Sequence, residues 1–109
     1  MRFDRGDLVW LDFNPESGHE QAGRRPALVV SPEAYNARSN CILICPISSN
    51  TDPWPWKTAL PKGLPVVGAI LVDQLTSLDV AARHVEPMAA AVSADVMADV
   101  LARLATLTA

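Results

Sequence analysis

Two runs, "RPALVVSP" (25–32) and "NCILICPISS" (40–49), constrain this chain more than any other feature. Neither alternates between apolar and polar residues. A strand with one solvated face alternates, so a continuous apolar run bounded by turn residues reads as a strand buried on both faces. Pro32 ends the first of them. Two such strands need cover above and below, which sets the chain apart from a simple hairpin or an open meander.

The other elements fit around this pair. "GDLVWLDF" (6–13) sets Leu8, Trp10 and Asp12 against Val9, Leu11 and Phe13 and reads as a first strand. "NPESGHEQAG" follows as a loop of about ten residues, a length that in a small domain points to function. "EAYNARS" reads as a helical turn and connector. "NTDPWPW" is a second irregular loop, because Pro53 and Pro55 forbid regular pairing. "KTALP" reads as a fourth strand, "LPKGLP" as a turn and "VVGAILVDQ" as a fifth strand. "LTSLDVA" reads as a helical turn and "ARHVEPM" as a short sixth strand. Ser93 then caps a C-terminal helix, with Asp95 in its first turn, where a carboxylate suits the dipole. Val96, Met97, Val100, Leu101, Leu104 and Leu107 recur at helical spacing and form the stripe that packs on the sheet. Five or six strands followed by a helix predict an α+β domain spanning 1–109. It is mainly β, a small antiparallel barrel or strongly bent sheet closed by a C-terminal helix.

Composition limits the partners. The net charge is −3, which excludes a general nucleic-acid-coating protein but not a local basic site. Charge is unevenly placed. From Glu86 onward there are three acids and one arginine, whereas 36–62 carries Arg38, Lys57 and Lys62 against Asp52 alone. No apolar run approaches the roughly 20 residues of a membrane span, and the N-terminus shows no apolar signal core, so a cytoplasmic protein is expected. Cys41 and Cys45 share a strand face about 13 Å apart, at roughly 3.3 Å per residue. That is too far for a disulfide, and both read as buried free thiols. HExxH, P-loop and GxGxxG patterns are absent, His19 and His84 have no ligand neighbours at usual spacing, and no cofactor or metal is expected.

Hydroxyls and arginines remain. Proline biases its predecessor toward extended backbone, so Arg25, before Pro26, begins the second strand. Its flat fork of donors fits two phosphate oxygens at once. Ser48 and Ser49 end the third strand, where the chain leaves the core. Two readings stand: a pair of solvated strand ends, or a small phosphate site. Trp54 reads as a base-stacking platform or a lid, and Trp56 more readily as a lid over the core.

The sequence "GDLVWLDFNPESGHEQAGRRPALVVSP", then "CPISSN", "PWPWKTALP" and "VDQLTSLD" followed by Arg83, resembles the MazF/PemK/Kid toxins of type II toxin–antitoxin systems over nearly the whole chain. The resemblance implies an SH3-like barrel of the PemK/CcdB type, a homodimer, and an endoribonuclease that cuts single-stranded RNA without a metal. The RNA's own 2′-hydroxyl attacks the phosphate, leaving a 2′,3′-cyclic phosphate and a 5′-hydroxyl. A cognate antitoxin with an acidic tail holds such toxins inactive. The implied catalytic residues are Arg25, Ser48 and Glu20. Arg25 grips the phosphate, and Glu20 either accepts a proton or orients Arg25. Ser48 stands where the family usually has threonine. RNA contacts fall on Arg24, Gln21, Phe13, Ser49, Trp54, Gln74 and Ser77, with Asp73 a structural residue that fixes loop backbone. Two alternatives carry different functions on the same fold: an antitoxin-binding decoy weakened at Ser48, and a gyrase-poisoning toxin. The second acts through a tryptophan-bearing C-terminal tail, and this chain ends Thr106-Leu107-Thr108-Ala109.

Overall fold

The computed structural model describes residues 2–13 and 23–109. Strands β1 (Asp7–Asp12) and β2 (Arg24–Val29) pair antiparallel, with Leu11 opposite Arg25. Helix α1 (Glu33–Ser39) leads into β3 (Cys41–Ser48), which pairs with β2 through Ala27–Pro46 and Leu28–Cys45. Strands β4 (Lys57–Ala59) and β5 (Ala69–Leu71) follow, then a 3₁₀ turn (Val72–Gln74), β6 (Thr76–Asp79), β7 (Glu86–Ala91) and helix α2 (Ala94–Thr108). The sheet order is β4-β5-β3-β2-β1-β7, with β6 also on β3.

Strand β3 is the pivot. Cys41–Ile44 pair with β6, whereas Ile47 and Ser48 pair with β5 along the same edge. The partner changes across Cys45 and Pro46, and a proline there has no N–H for the interrupted ladder to strand. One long strand thereby belongs to two sheets, and the whole is a mainly antiparallel β structure with a C-terminal helix.

The two apolar runs are buried on both faces, as their pattern predicts. One core cluster takes Val9, Leu11, Ala27, Val29, Ile42 and Ile44, closed by Phe3, Leu78 and Val85. The other takes Leu8, Leu28, Val30, Cys45 and Ile47, closed by Ile70, Val72 and the α2 residues Met97 and Val100. Alternate residues of each strand supply opposite clusters, as the period of two requires. Full burial of a side chain such as Val100 contributes about 1.5–3 kcal/mol. Ser93 caps α2, its Oγ accepting the Val96 N–H at 3.2 Å.

Several sequence expectations shift. "LTSLDVA" holds a strand, β6, rather than a helical turn. The first half of β3 needs an edge partner, and Leu78 plugs the core while its neighbours stay exposed. The predicted fifth strand is regular only over Ala69–Leu71, because Val72 turns inward and starts the 3₁₀ turn. The sixth predicted strand begins later, at Glu86, because residues 81–84 form a turn in which His84 adopts a left-handed φ of 50°. Cys45 is buried, but Cys41 is only half-buried. Leu107 extends beyond the sheet and is 47% exposed. No helix among the described residues is long and apolar enough to cross a membrane.

Candidate active site

The arginine pair at the start of β2 is separated by the strand's own alternation. Arg25 continues the stripe Val29–Ala27 past the end of the first core cluster and emerges exposed. Ser48, half-buried, continues the stripe Ile42–Ile44–Pro46 of β3 in the same way. Two parallel stripes on one sheet face therefore carry a cation and a hydroxyl to the same rim. They line a cavity of about 400 Å³, together with Phe13, Pro26, Pro46, Ser49 and Gln74. Ser48 Oγ accepts the Asn50 N–H at 3.1 Å. This leaves the Ser48 O–H to donate outward. Arg25 lines the cavity and makes no ion pair or side-chain hydrogen bond among the described residues.

Arg24 points to the opposite face. It donates to Glu86 Oε1 at 2.9 Å and lies 5.8 Å from the Trp10 ring centroid. Its charge is answered within the fold, and it does not line the cavity.

Two devices that the sequence reading missed hold this rim. The first is Gly68, at φ +135°. A Cβ there would lie 2.1 Å from the Ser48 carbonyl oxygen, so only glycine allows β5 to approach the end of β3 this closely. The available signal was a lone glycine inside the apolar run "VVGAIL", which marks a close backbone approach. The second is a knot at the end of β1. Buried Asp12 meets His84 Nδ1 through Oδ2 at 2.9 Å and donates its N–H to the Arg83 carbonyl at 2.9 Å. Arg83 in turn donates to the carbonyls of Asp12 and Phe13. Phe13 is thereby fixed where the chain enters 14–22. In the sequence Arg83 carries no evident role, because no local pattern announces a partner some seventy residues away.

A second cavity of about 480 Å³ adjoins the first, sharing Phe13, Pro46 and Gln74 and adding Thr76, Leu78 and Arg83. Ser77 lies on β6 between Thr76 and Leu78 and lines neither cavity. Trp54 also lines neither. It stands 49% exposed, its Nε1 donating to Asp73 Oδ2 at 3.1 Å. Asp73 therefore holds an indole rather than loop backbone. Trp56 is half-buried against the second core cluster, in keeping with a lid over the core. Glu20 and Gln21, with His19, fall outside the described residues.

Cys45 is the ionisable group most altered by the fold. Burial pushes its thiol up to about 12, with the charge of Asp73 adding to the effect. It faces the second core cluster, away from the cavity, and at neutral pH it is an inert thiol.

Residues 4–108 match the family described as PemK-like, MazF-like toxin of type II toxin–antitoxin system. The endoribonuclease toxin MazF of Escherichia coli K12 is 41% identical over 75 residues, which covers 69% of this chain and 67% of that protein. Endoribonuclease PemK of Escherichia coli is 30% identical over 108 residues, covering 95% and 80%. The crystal structure of MazF from Deinococcus radiodurans is similar at a TM-score of 0.87 and 44% identity, over 99% of this chain and 97% of that one. A MazE–MazF structure from the same organism matches at a TM-score of 0.86 and 40% identity, over 99% and 96%. The fold is that of a small, mainly antiparallel β protein closed by a C-terminal helix, and the chain belongs to the PemK-like, MazF-like toxin family.

Proposed function

We propose that this protein is an endoribonuclease toxin that cuts single-stranded RNA at short sequences and arrests translation. The observation that carries the reading is the convergence of Arg25 and Ser48 on one cavity. Two strand stripes deliver them there, beside an aromatic side chain and an amide.

The chemistry asks little of the protein. The 2′-oxygen attacks the adjacent phosphorus as its proton passes to an acceptor. The bond from phosphorus to the 5′-oxygen breaks, and that oxygen takes up a proton. The products are a 2′,3′-cyclic phosphate and a 5′-hydroxyl, and no metal takes part. Negative charge grows on the non-bridging oxygens, and preorganised donors aimed at them lower the barrier. Arg25 supplies two parallel N–H groups and a fixed positive charge. Because guanidinium stays protonated, it is a charge stabiliser and not a base. Ser48 supplies one further O–H, oriented by the Asn50 N–H that its oxygen accepts. Glu20, in the first loop, is the proton acceptor of this scheme. Phe13, Ser49 and Gln74 line the cavity and contact the nucleotides flanking the phosphate. Gln21 and Ser77 extend the RNA contacts outside it, whereas Arg24, paired with Glu86 on the opposite face, serves the sheet.

The protein acts in the cytoplasm as a homodimer and is neutralised by a cognate antitoxin, whose acidic segment competes with RNA for the same cation. The structural relatives that include MazE support that partner class. The test is incubation with a long RNA in EDTA, followed by mapping of cut sites and end groups. A second RNA carries a single 2′-deoxy nucleotide 5′ to a mapped cut. Discrete cuts with cyclic-phosphate ends, abolished by that one substitution, are expected. Cleavage that survives it contradicts the mechanism.

A further inference from the structure

The loop that leaves Ser48 and Ser49 is tied down more heavily than its exposure explains. Lys57 Nζ reaches back to the carbonyls of Asn50 at 3.2 Å and Asp52 at 3.0 Å. Pro53 and Pro55 fix two φ angles within it. Trp54 is half-exposed, yet its ring is held twice, at Nε1 by Asp73 and along its edge by Trp56. The two centroids are 5.4 Å apart and the planes 60° from parallel. Trp56 is pinned in turn, its Nε1 donating to Thr106 Oγ1 at 2.8 Å. Arg103, one helical turn earlier, donates through Nη1 to the Pro55 carbonyl and through Nε to Asp99 Oδ2 at 2.9 Å. Thr58 Oγ1 donates to that same carboxylate oxygen at 2.7 Å. Hydrogen bonds from Arg103 and Thr58 keep the Asp99 carboxyl below its usual range.

This arrangement fixes the Trp54 ring while leaving it 49% exposed. It holds an indole with one side in solvent, at a residue that contacts Asp73, the sequence neighbour of the cavity residue Gln74. A flat, partly exposed aromatic ring held by the sequence neighbour of a cavity-lining residue can stack on a nucleobase, and rigidity raises the gain because less entropy is lost on binding. We propose that the C-terminal turns of α2 set the base preference of the cavity, with Arg103 and Thr106 as positioning residues that hold Trp54 as the stacking face for one nucleobase flanking the scissile phosphate. The inference rests on the ribonuclease reading above.

The test is a mutant cycle on the full-length protein, with cut sites mapped on one long RNA. In Arg103→Ala, the ratio of cleavage at the preferred site to cleavage at sites differing in the flanking base falls about five- to tenfold, the scale of a weakened base stack. KM at the preferred site rises while kcat stays close to wild type. Thr106→Val and Trp56→Phe, which each remove the Trp56–Thr106 bond, shift the ratio in the same direction. If Arg103→Ala folds poorly by thermal melt, they carry the cycle in its place. In a Trp54→Ala background, none of these changes shifts the ratio further. A cut pattern unaltered by all three, or one altered equally with and without Trp54, overturns the proposal. Should the same preparation cleave RNA in an Arg25-dependent manner, that negative result leaves the ribonuclease reading intact. A wild-type protein inert toward RNA overturns both.

Discussion

The two faces of the central sheet treat charge in opposite ways. On the face closed by α2, Arg24 is neutralised by Glu86 and lies over Trp10, and Cys45 is held as a neutral thiol. On the other face, the adjacent Arg25 opens onto a cavity beside Ser48. The two arginines are neighbours in sequence and differ only by strand parity. A cation answered inside the fold contributes to structure. A cation left facing a cavity among the described residues is available to a phosphate. Position along β2 therefore says less about function than which face a residue takes.

The largest test of this contrast compares the two arginines directly. Arg25→Ala is expected to lower kcat/KM for RNA by about 10²–10³-fold, the range for loss of one transition-state donor. Arg24→Ala should stay within a few-fold in activity, with a modest loss of stability, because a half-exposed ion pair contributes about 0–1 kcal/mol. Equal losses would erase the distinction between the faces. Next in size, Ser48→Ala should cost about 10–100-fold, in line with about 1.5–3 kcal/mol for a hydrogen bond to a charged group. Ser48→Thr should keep or raise activity, since the β-methyl restricts χ1 and fixes the hydroxyl. A large loss in the threonine variant would remove Ser48 from the site.

Gly68→Ala probes the same rim through packing. The added Cβ meets the Ser48 carbonyl, so a loss of about 1–3 kcal/mol in denaturant unfolding is expected, together with a drop in activity. A stable variant of full activity would show that the rim tolerates displacement. At neutral pH the closed face contributes no pH dependence, and its test lies in the alkaline range. Because burial pushes the folded Cys45 thiol up to about 12 from the ordinary cysteine value of 9.0, the unfolded chain holds fewer protons than the folded one between those values. The thiol's contribution is then complete below pH 9 and declines as pH rises toward 12, by at most about 1.4 kcal/mol per pH unit. Cys45→Ala should flatten that part of a stability–pH curve. An unchanged slope would show that the decline has another source.

What the sequence revealed follows the range of the interactions involved. The double-sided burial of β2 and β3 was legible because continuous apolar runs report it locally. The α2 start was legible because Ser93 and the following stripe lie within a few residues. Arg25 and Ser48 stood out as strand-end polar residues, but parity alone does not say that two strands bring their ends to one rim. That depends on the β2–β3 register, which pairs Ala27 with Pro46. β6 was misread because its strand character comes from the free edge of β3, while "LTSLDVA" by itself has mixed signals. The Asp12–Arg83–His84 knot and the ties from Arg103 and Thr106 span some fifty to seventy residues. No local pattern encodes contacts at that separation.

The central claim is that one of two adjacent arginines does the chemistry while the other holds the sheet. It is tested most directly by measuring RNA cleavage in EDTA for wild type, Arg24→Ala and Arg25→Ala side by side, on one RNA, with end groups mapped. The account predicts discrete cuts with 2′,3′-cyclic phosphate and 5′-hydroxyl ends in the wild type and Arg24→Ala, and near-complete loss in Arg25→Ala alone. Cleavage that persists in Arg25→Ala, or that fails equally in both variants, would contradict it.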